Sequence, residues 1–256
     1  MKINLEGQVA LVTGAGRGIG EAIANELAAN GAKVVYADVS IESARKSADK
    51  AMHGLPMQMD VTNEKEIEAG IALVEREFGR LDILVNNAGV NSGMEHRVNI
   101  DKFSSAEWDR VLKVDLSGVF LVSRYATPLM VRQKRGRVVN ISSVLGVVPA
   151  RLQCAFTAAK AGVVNLTRTM AIELAPDNIL VNCIAPGTME NVYSPGSGLK
   201  DFGLRILSHV PLGRPGKFDD IAHAVTFFVA PENGYVTGQI LCVDGGWTAG
   251  GFFRDF

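Results

Sequence analysis

The chain has 256 residues and a formal net charge of −1, and 47% of its residues are hydrophobic and 21% charged. Its sequence pI of about 6.4 and mean hydropathy of +0.15 are typical of a globular protein that buries a large core. This balance excludes the strong positive charge that nucleic acids or anionic membrane surfaces attract. We therefore expect a small-molecule substrate, with no nucleic-acid or membrane partner.

The few cysteines indicate a reducing compartment, and the chain has no long apolar segment. The three cysteines are too few and too scattered for a disulfide framework, and no Cys/His spacing indicates a metal site. The first residues contain no apolar stretch followed by a small-residue cleavage site, and nowhere do about 18 apolar residues run together. We predict a cytoplasmic protein without a metal.

Short runs rich in Val, Ile and Leu recur along the chain, separated by longer segments with helical periodicity. The runs occupy residues 8–14, 32–39, 57–61, 81–89, 136–143, 178–187 and 239–246. Continuous apolar strands are typical of a sheet that is covered on both faces. The βαβ order and the right-handed crossover rule then predict an α/β fold: one doubly wound parallel sheet, a Rossmann fold, with helices on both faces. No linker interrupts this pattern, so residues 1–256 form a single domain.

The first predicted helix follows the first apolar run directly. Ile19, Ile23 and Leu27 fall on one helical face. Gly31 comes shortly after this stripe and is expected to be the C-cap, because glycine adopts the left-handed conformation that ends many helices.

The turn between this strand and helix reads "VTGAGRGIG" and is rich in glycine. Gly14, Gly18 and Gly20 allow a tight turn whose amide groups approach a pyrophosphate, and the helix N-terminus favours the anion. A glycine triplet alone also fits an ordinary turn, but the strand before it and the helix after it are the context of a dinucleotide site. We therefore assign Arg17 and Ile19 of this turn to the cofactor site as well.

The acidic residue at the end of the second strand predicts which dinucleotide binds. Asp38 lies about twenty residues beyond the glycines, where a carboxylate accepts hydrogen bonds from a ribose 2′-hydroxyl and repels a 2′-phosphate. We therefore expect NAD as the cofactor rather than NADP. Arg17 could neutralise a 2′-phosphate, but the charge of Asp38 opposes this. The alternative role for Asp38 is to cap the next helix.

Two long, polar, glycine-containing loops are candidates for contact with the substrate. They span residues 91–105 and 187–203. Loops of this length without secondary structure of their own are often functional.

Several further motifs resemble those of a known protein family. "NNAG" at 86–89, "NISS" at 140–143, Lys160, "APG" at 185–187 and "VDGGW" at 243–247 accompany the glycine turn. Together they resemble the short-chain dehydrogenase/reductase family over nearly the whole chain. This resemblance implies a Rossmann fold, a nicotinamide cofactor and a homotetramer, with the apolar segment 245–256 a candidate for docking on a neighbouring subunit.

The resemblance also assigns residues to the cofactor. The aspartate of a "DV" pair meets the adenine amine in the family, and "NNAG" steadies the central sheet beside the cofactor. The corresponding residues are Asp60, Val61, Asn87, Ala88 and Gly89. After the sixth strand the corresponding residues are Pro186, Gly187 and Thr188. In the family, a threonine near this place contacts the carboxamide of the cofactor. Thr188 is the nearest residue of this chain with a hydroxyl group.

The catalytic side chains of the family are an Asn, a Ser, a Tyr and a Lys, and this chain keeps two of the four. Ser143 matches the serine that binds the substrate oxygen, although a serine here could also cap a helix. Lys160 matches the lysine that binds the nicotinamide ribose and lowers the tyrosine pKa. Phe156 stands at the tyrosine position, thirteen residues after Ser143, and Asp115 stands at the asparagine position.

These departures leave the cofactor positions intact and change the proton-handling ones. The activity implied is NAD-dependent interconversion of a secondary alcohol and a ketone, impaired about 10²- to 10⁴-fold by loss of the general acid. Three explanations remain open: deliberate replacement of the tyrosine to trap a complex, natural divergence, or a non-catalytic dinucleotide-binding protein. Divergence would include reduction or desaturation of a C=C bond next to a carbonyl, or another proton donor such as Tyr193 or Asp115.

Overall fold

The computed structural model describes residues 2–193 and 206–250. Its strands are β1 Val9–Thr13, β2 Lys33–Asp38, β3 Gly54–Gln58, β4 Ile83–Asn86, β5 Gly136–Ile141, β6 Ile179–Pro186 and β7 Ile240–Val243. All pairings are parallel, in the order β3-β2-β1-β4-β5-β6-β7, which confirms the predicted doubly wound sheet. The third strand begins earlier than predicted, because Pro56 is tolerated in a strand at the sheet edge.

Helices connect the strands on both faces. They are α1 Gly18–Ala29, α2 Ile41–Ala48, α3 Glu64–Phe78, α4 Ser105–Leu112, α5 Gly118–Gln133, α6 Cys154–Leu174 and α7 Phe218–Val229. Short 3₁₀ turns occupy Met94–His96, Ile100–Lys102, Val144–Gly146, Ala175–Asp177 and Glu190–Tyr193. Gly31 ends α1 in the left-handed conformation, as predicted: it follows the cap residue Asn30 with a φ of +97°, and its N–H donates to the carbonyl oxygen of Ala28 at 3.0 Å.

The core lies on both sides of the sheet. One layer packs α1 and α7 against the strands through residues such as Ile23 and Val225. The opposite layer packs α3, α5 and α6 through Ile67, Leu129 and Met170. The apolar runs of the sequence are explained by this arrangement, because both faces of the central strands are buried.

The order of the strands also places the site. β1 lies beside both β2 and β4, so successive connections leave β1 in opposite directions. Ligands of such sheets bind at this switch point, outside the carboxyl ends of the strands. Gly14, Asn87, Ser143 and Gly187 all follow carboxyl ends of strands and therefore lie along the same edge. Within residues 2–193 and 206–250, no helix has the length and apolar character needed to cross a membrane.

Candidate active site

The glycine turn is closely packed and requires its glycines. Gly14 has a φ of +63°, and a Cβ there would lie 2.9 Å from the Cα of Ala88. A Cβ on Gly20 would lie 2.1 Å from the carbonyl oxygen of Gly14. Gly18, at a φ of +60°, begins α1 directly after the extended Arg17. The helix N-terminus therefore opens onto a turn that side chains would fill, and the turn fits a pyrophosphate.

Asn87 and Thr13 hold this turn against β4. The Asn87 side-chain amide donates to the carbonyl oxygens of Thr13 at 2.9 Å and Gly14 at 3.2 Å. The Thr13 hydroxyl accepts from the backbone N–H groups of Asn87 and Ala88, both at 3.0 Å. Sequence reasoning missed Thr13, although a polar residue at the end of an apolar strand was a signal. Ile19 supports the turn by packing against the core.

Asp38 is tied to the glycine turn. One of its carboxylate oxygens accepts the Gly16 N–H at 2.9 Å, and the other accepts the Ser40 N–H at 3.0 Å. The N-cap of α2 is Ser40, whose hydroxyl accepts the Ser43 N–H at 3.2 Å. Asp38 is therefore not the helix cap. A carboxylate offers about four acceptor positions, so this one keeps capacity for ribose hydroxyls.

The residues assigned to the adenine side follow β3. One Asp60 carboxylate oxygen accepts the Thr62 N–H at 2.8 Å. Val61 is buried against the start of α5, where a Cβ on Gly118 would lie 2.8 Å from the Val61 side chain. These contacts fix the loop between β3 and α3 beside α5.

The residues assigned to the carboxamide side follow β6. Pro186 is the last residue of that strand, and the Gly187 N–H donates to the carbonyl oxygen of Val243 at 2.9 Å. The carbonyl oxygen of Thr188 accepts the Gly216 N–H at 3.0 Å. This segment is therefore anchored to β7 and to the residues that precede α7.

Ser143 stands at the carboxyl end of β5 and caps a short turn. Its hydroxyl oxygen accepts the Leu145 N–H at 3.1 Å, at the start of the 3₁₀ turn Val144–Gly146. The capping role considered for this serine is therefore real. It does not consume the hydroxyl hydrogen, which can still be donated to a ligand oxygen.

Lys160 is a buried cation rather than a solvated surface lysine. Its ammonium lies 3.1 Å from a carboxylate oxygen of Asp115 and donates to the carbonyl oxygen of Ile141 at 3.3 Å. The ring centroid of Phe156 lies 5.6 Å from the same nitrogen, within the range of a cation–π contact. A Cβ on Gly89 would lie 3.2 Å from the carboxylate and 3.3 Å from the ammonium. A side chain at this place would crowd the pair.

Asp115 reaches the site from an irregular helix. The segment Lys113–Ser117 is a π-helical turn between α4 and α5. The second Asp115 oxygen accepts the Val90 N–H at 2.7 Å. π-helical turns are rare and often occur at functional sites, and nothing in the local sequence pattern predicted this one.

A buried hydrogen-bonded network lies beneath these residues. The Asn86 amide donates to Asn140 at 2.8 Å and to the Ser123 hydroxyl at 3.0 Å. The Asn140 amide donates to the Thr167 hydroxyl at 2.9 Å. The network joins β4, β5, α5 and α6, and it was not predicted from the sequence.

The loop 91–105 forms one wall of a cavity. The cavity has a volume of about 280 Å³ and is lined by Ile100, Phe103, Ser105, Trp108 and Cys154. Arg110 holds the start of the loop by donating to the carbonyl oxygen of Asn91 at 3.2 Å. For the second loop, residues 194–203 lie outside the described residues, as do residues 251–256 of the segment expected to dock on a subunit.

We predict that Glu107 stabilises this wall in a pH-dependent way. The hydrogen bond from Arg110 lowers the pKa of Glu107 to about 2, against the effect of burial, which raises it. A carboxyl whose pKa is lowered on folding stabilises the fold above its ordinary pKa of 4.5 and loses that effect as the pH falls toward 2. Glu107→Gln should therefore lower the melting temperature at pH 7 by a few degrees.

The difference in melting temperature should shrink when both proteins are melted at progressively lower pH. Glu77→Gln is the matched control, because Glu77 forms an exposed ion pair with Arg76 and exposed pairs contribute little. A difference independent of pH would contradict the assignment.

Comparison with known proteins identifies the family. A family model described as enoyl-(acyl carrier protein) reductase matches residues 14–248. The chain belongs to the short-chain dehydrogenase/reductase family, whose members are oxidoreductases that bind a nicotinamide dinucleotide.

Three similar proteins illustrate the range of this family. The 3-oxoacyl-[acyl-carrier-protein] reductase FabG of Thermotoga maritima is 39% identical over 249 residues, which cover 95% of this chain and 99% of the relative. The cis-4-hydroxycyclohexanecarboxylate dehydrogenase of Sinomonas cyclohexanicum is 38% identical, covering 94% and 97%. The crystal structure of levodione reductase superimposes with a TM-score of 0.90 at 33% identity, covering 95% of this chain and 98% of that one.

Proposed function

We propose that this protein is an NAD-dependent oxidoreductase that interconverts a secondary alcohol and a ketone. The observation that carries the proposal is the convergence of the Asp38-linked glycine turn, Ser143 and Lys160 on one sheet edge. The names of the relatives support the reaction class, because they describe reductases of a 3-oxoacyl group and of levodione and a dehydrogenase of a hydroxycyclohexanecarboxylate.

Different residues of the chain bind the cofactor and the substrate. The glycine turn binds the pyrophosphate, Asp38 accepts the adenosine ribose hydroxyls, and Lys160 orients the nicotinamide ribose. When bound, the nicotinamide exchanges a hydride with the substrate carbon. Ser143 donates its hydroxyl hydrogen to the substrate oxygen and thereby fixes which carbon faces the nicotinamide.

Proton transfer should be the slow step, because the site lacks a positioned phenol. Oxidation of an alcohol releases the hydroxyl proton as well as the hydride, and reduction needs that proton back. Phe156 has no acidic hydrogen. We therefore propose that turnover by this chain is about 10²- to 10⁴-fold below that of a site with a positioned phenol.

The test measures NADH formation from NAD⁺ and a panel of secondary alcohols that includes hydroxy-substituted cyclohexanecarboxylates and 3-hydroxyacyl thioesters. We expect slow turnover of at least one of them, with a preference for NAD⁺ over NADP⁺. Lys160→Met should weaken both NADH binding and turnover. Binding of NADH without turnover of any substrate, by the chain or by its Phe156→Tyr variant, would contradict the proposal and favour a non-catalytic dinucleotide-binding protein.

A second candidate is reduction or desaturation of a C=C bond next to a carbonyl. It is favoured by the absence of a phenol at Phe156 and by the description of the matching family model as an enoyl reductase. The reaction moves a hydride to one carbon and a proton to its neighbour, so no alkoxide needs protonation. Turnover of an enone by the unchanged chain with NADH, and none of any alcohol, would select this candidate.

We also propose that the protein is a cytoplasmic homotetramer. Large apolar side chains lie exposed on helices, with Phe120 on α5 49% exposed, Ile172 on α6 77% exposed and Phe227 on α7 43% exposed. Exposed apolar groups on several helices support association with further copies of the chain.

A further inference from the structure

Lys160 and Asp115 form an ion pair that is almost completely removed from solvent. The Lys160 side chain is 6% exposed and that of Asp115 0%. One Asp115 oxygen accepts a hydrogen bond from the Val90 N–H. Among residues 2–193 and 206–250, no group donates a hydrogen bond of good geometry to the other oxygen, so its electrostatic partner is the Lys160 ammonium at 3.1 Å. A buried charge without a partner is strongly destabilising.

Lys160 matches the family pattern, but two of its neighbours, Asp115 and Phe156, stand where that pattern is changed. A lysine beside a neutral asparagine keeps its full positive charge for the nearby phenol, and that charge lowers the phenol pKa. Here Asp115 replaces the asparagine and Phe156 replaces the phenol. The ring of Phe156 lies within 5.6 Å of the ammonium, but it cannot carry a negative charge.

We propose that Asp115 is the counter-ion of Lys160 and acts as a positioning residue that cancels its charge at position 156. The replacements at 115 and 156 are then coupled: with Asp115 present, a phenol gains little from Lys160, and without the phenol the buried lysine needs the carboxylate. This inference rests on the proposed function only for the location of the site. It requires no turnover.

Other charged groups near the pair do not take over this role. Arg110 of α4 interacts with Asp115, but its own hydrogen-bonded partner is Glu107. Cys183 of β6 faces Lys160, and burial raises the pKa of its thiol to about 11, so the thiol is neutral at pH 7. The carboxylate of Asp115 is therefore the negative charge that faces the ammonium.

The test titrates a phenol placed at the site. Phe156→Tyr is compared with the same substitution combined with Asp115→Asn, in the absence of coenzyme and substrate. The new phenol is followed by ultraviolet difference absorbance against the matching Phe156 protein. With Asp115 present we expect its pKa to stay near or above the ordinary value of about 10. With Asp115→Asn we expect it at least about 1 unit lower, because an uncompensated ammonium then faces it.

Asp109→Asn combined with Phe156→Tyr is the matched control. Asp109 is an exposed carboxylate on α4, so its removal should leave the phenol pKa where Phe156→Tyr alone places it. Equal phenol pKa values with and without Asp115 would overturn the proposal.

A stability measurement covers the case in which Asp115→Asn impairs folding. Lys160→Met combined with Asp115→Asn removes both charges together and should melt at a higher temperature than Asp115→Asn alone. A double variant that melts at or below that temperature, or fails to fold, would also overturn the proposal. Because neither measurement uses substrate, failure of this inference and failure of the proposed activity are separate results.

Discussion

Asp38→Asn should raise the affinity for NADPH relative to NADH by about a hundredfold, because it removes the charge that repels a 2′-phosphate. The amide side chain keeps one oxygen acceptor for either the Gly16 or the Ser40 N–H, each of which Asp38 now accepts. The glycine turn should therefore persist. NADH binding should weaken, since a neutral oxygen accepts the ribose hydroxyl less strongly than a carboxylate.

Fluorescence titration with both reduced coenzymes measures this ratio directly. Glu42→Gln is the matched control, because Glu42 is an exposed carboxylate in the same segment, bonded to the Ser40 hydroxyl at 3.2 Å. It removes the same charge without touching the turn and should leave the ratio within about threefold of the parent, as expected for a solvated charge. An unchanged ratio in Asp38→Asn would show that Asp38 does not face the ribose.

Gly20→Ala should weaken NADH binding by about a hundredfold or more, roughly 3 kcal/mol. The added methyl group would lie 2.1 Å from the Gly14 carbonyl oxygen and 2.4 Å from the Asn87 amide nitrogen. The turn must open to admit it, and the bond from Asn87 to Gly14 is lost. Overpacking of this kind also lowers the free energy of unfolding, by about 1–3 kcal/mol.

Isothermal titration with NADH and thermal melting separate these two effects. Gly234→Ala is the control, because a Cβ at Gly234 meets nothing within 4 Å. It should match the parent in both measurements. Tight NADH binding by Gly20→Ala would mean that the turn is not where the pyrophosphate lies.

Features encoded by local patterns were predictable from the sequence. Apolar runs bounded by turn residues predicted the parallel sheet, because both faces of its strands are buried. The contact between the glycine turn and Asp38 was predictable since their spacing follows from one strand–helix–strand unit. Their roles toward a coenzyme stay predictions. The end of α1 was predictable as well, because Gly31 takes the left-handed conformation directly after Asn30.

Features that depend on contacts between distant segments were not predictable. The ion pair joins Asp115 to Lys160 across 45 residues, and neither local sequence indicates the other. The same holds for Asn86, whose partner Asn140 is 54 residues away on the neighbouring strand. Sequence resemblance identified the altered positions, but only the packing shows that Asp115 and Phe156 both lie beside Lys160.

The π-helical turn at Lys113–Ser117 has a consequence for how such a site evolves. A π turn corresponds to one residue inserted into an α-helix, and each residue of a regular helix advances the direction of the side chains by about 100°. The insertion thus rotates one short stretch while the flanking helices keep their contacts with the sheet. Chemistry at this place can therefore diverge through a local change in winding while the surrounding elements stay in position.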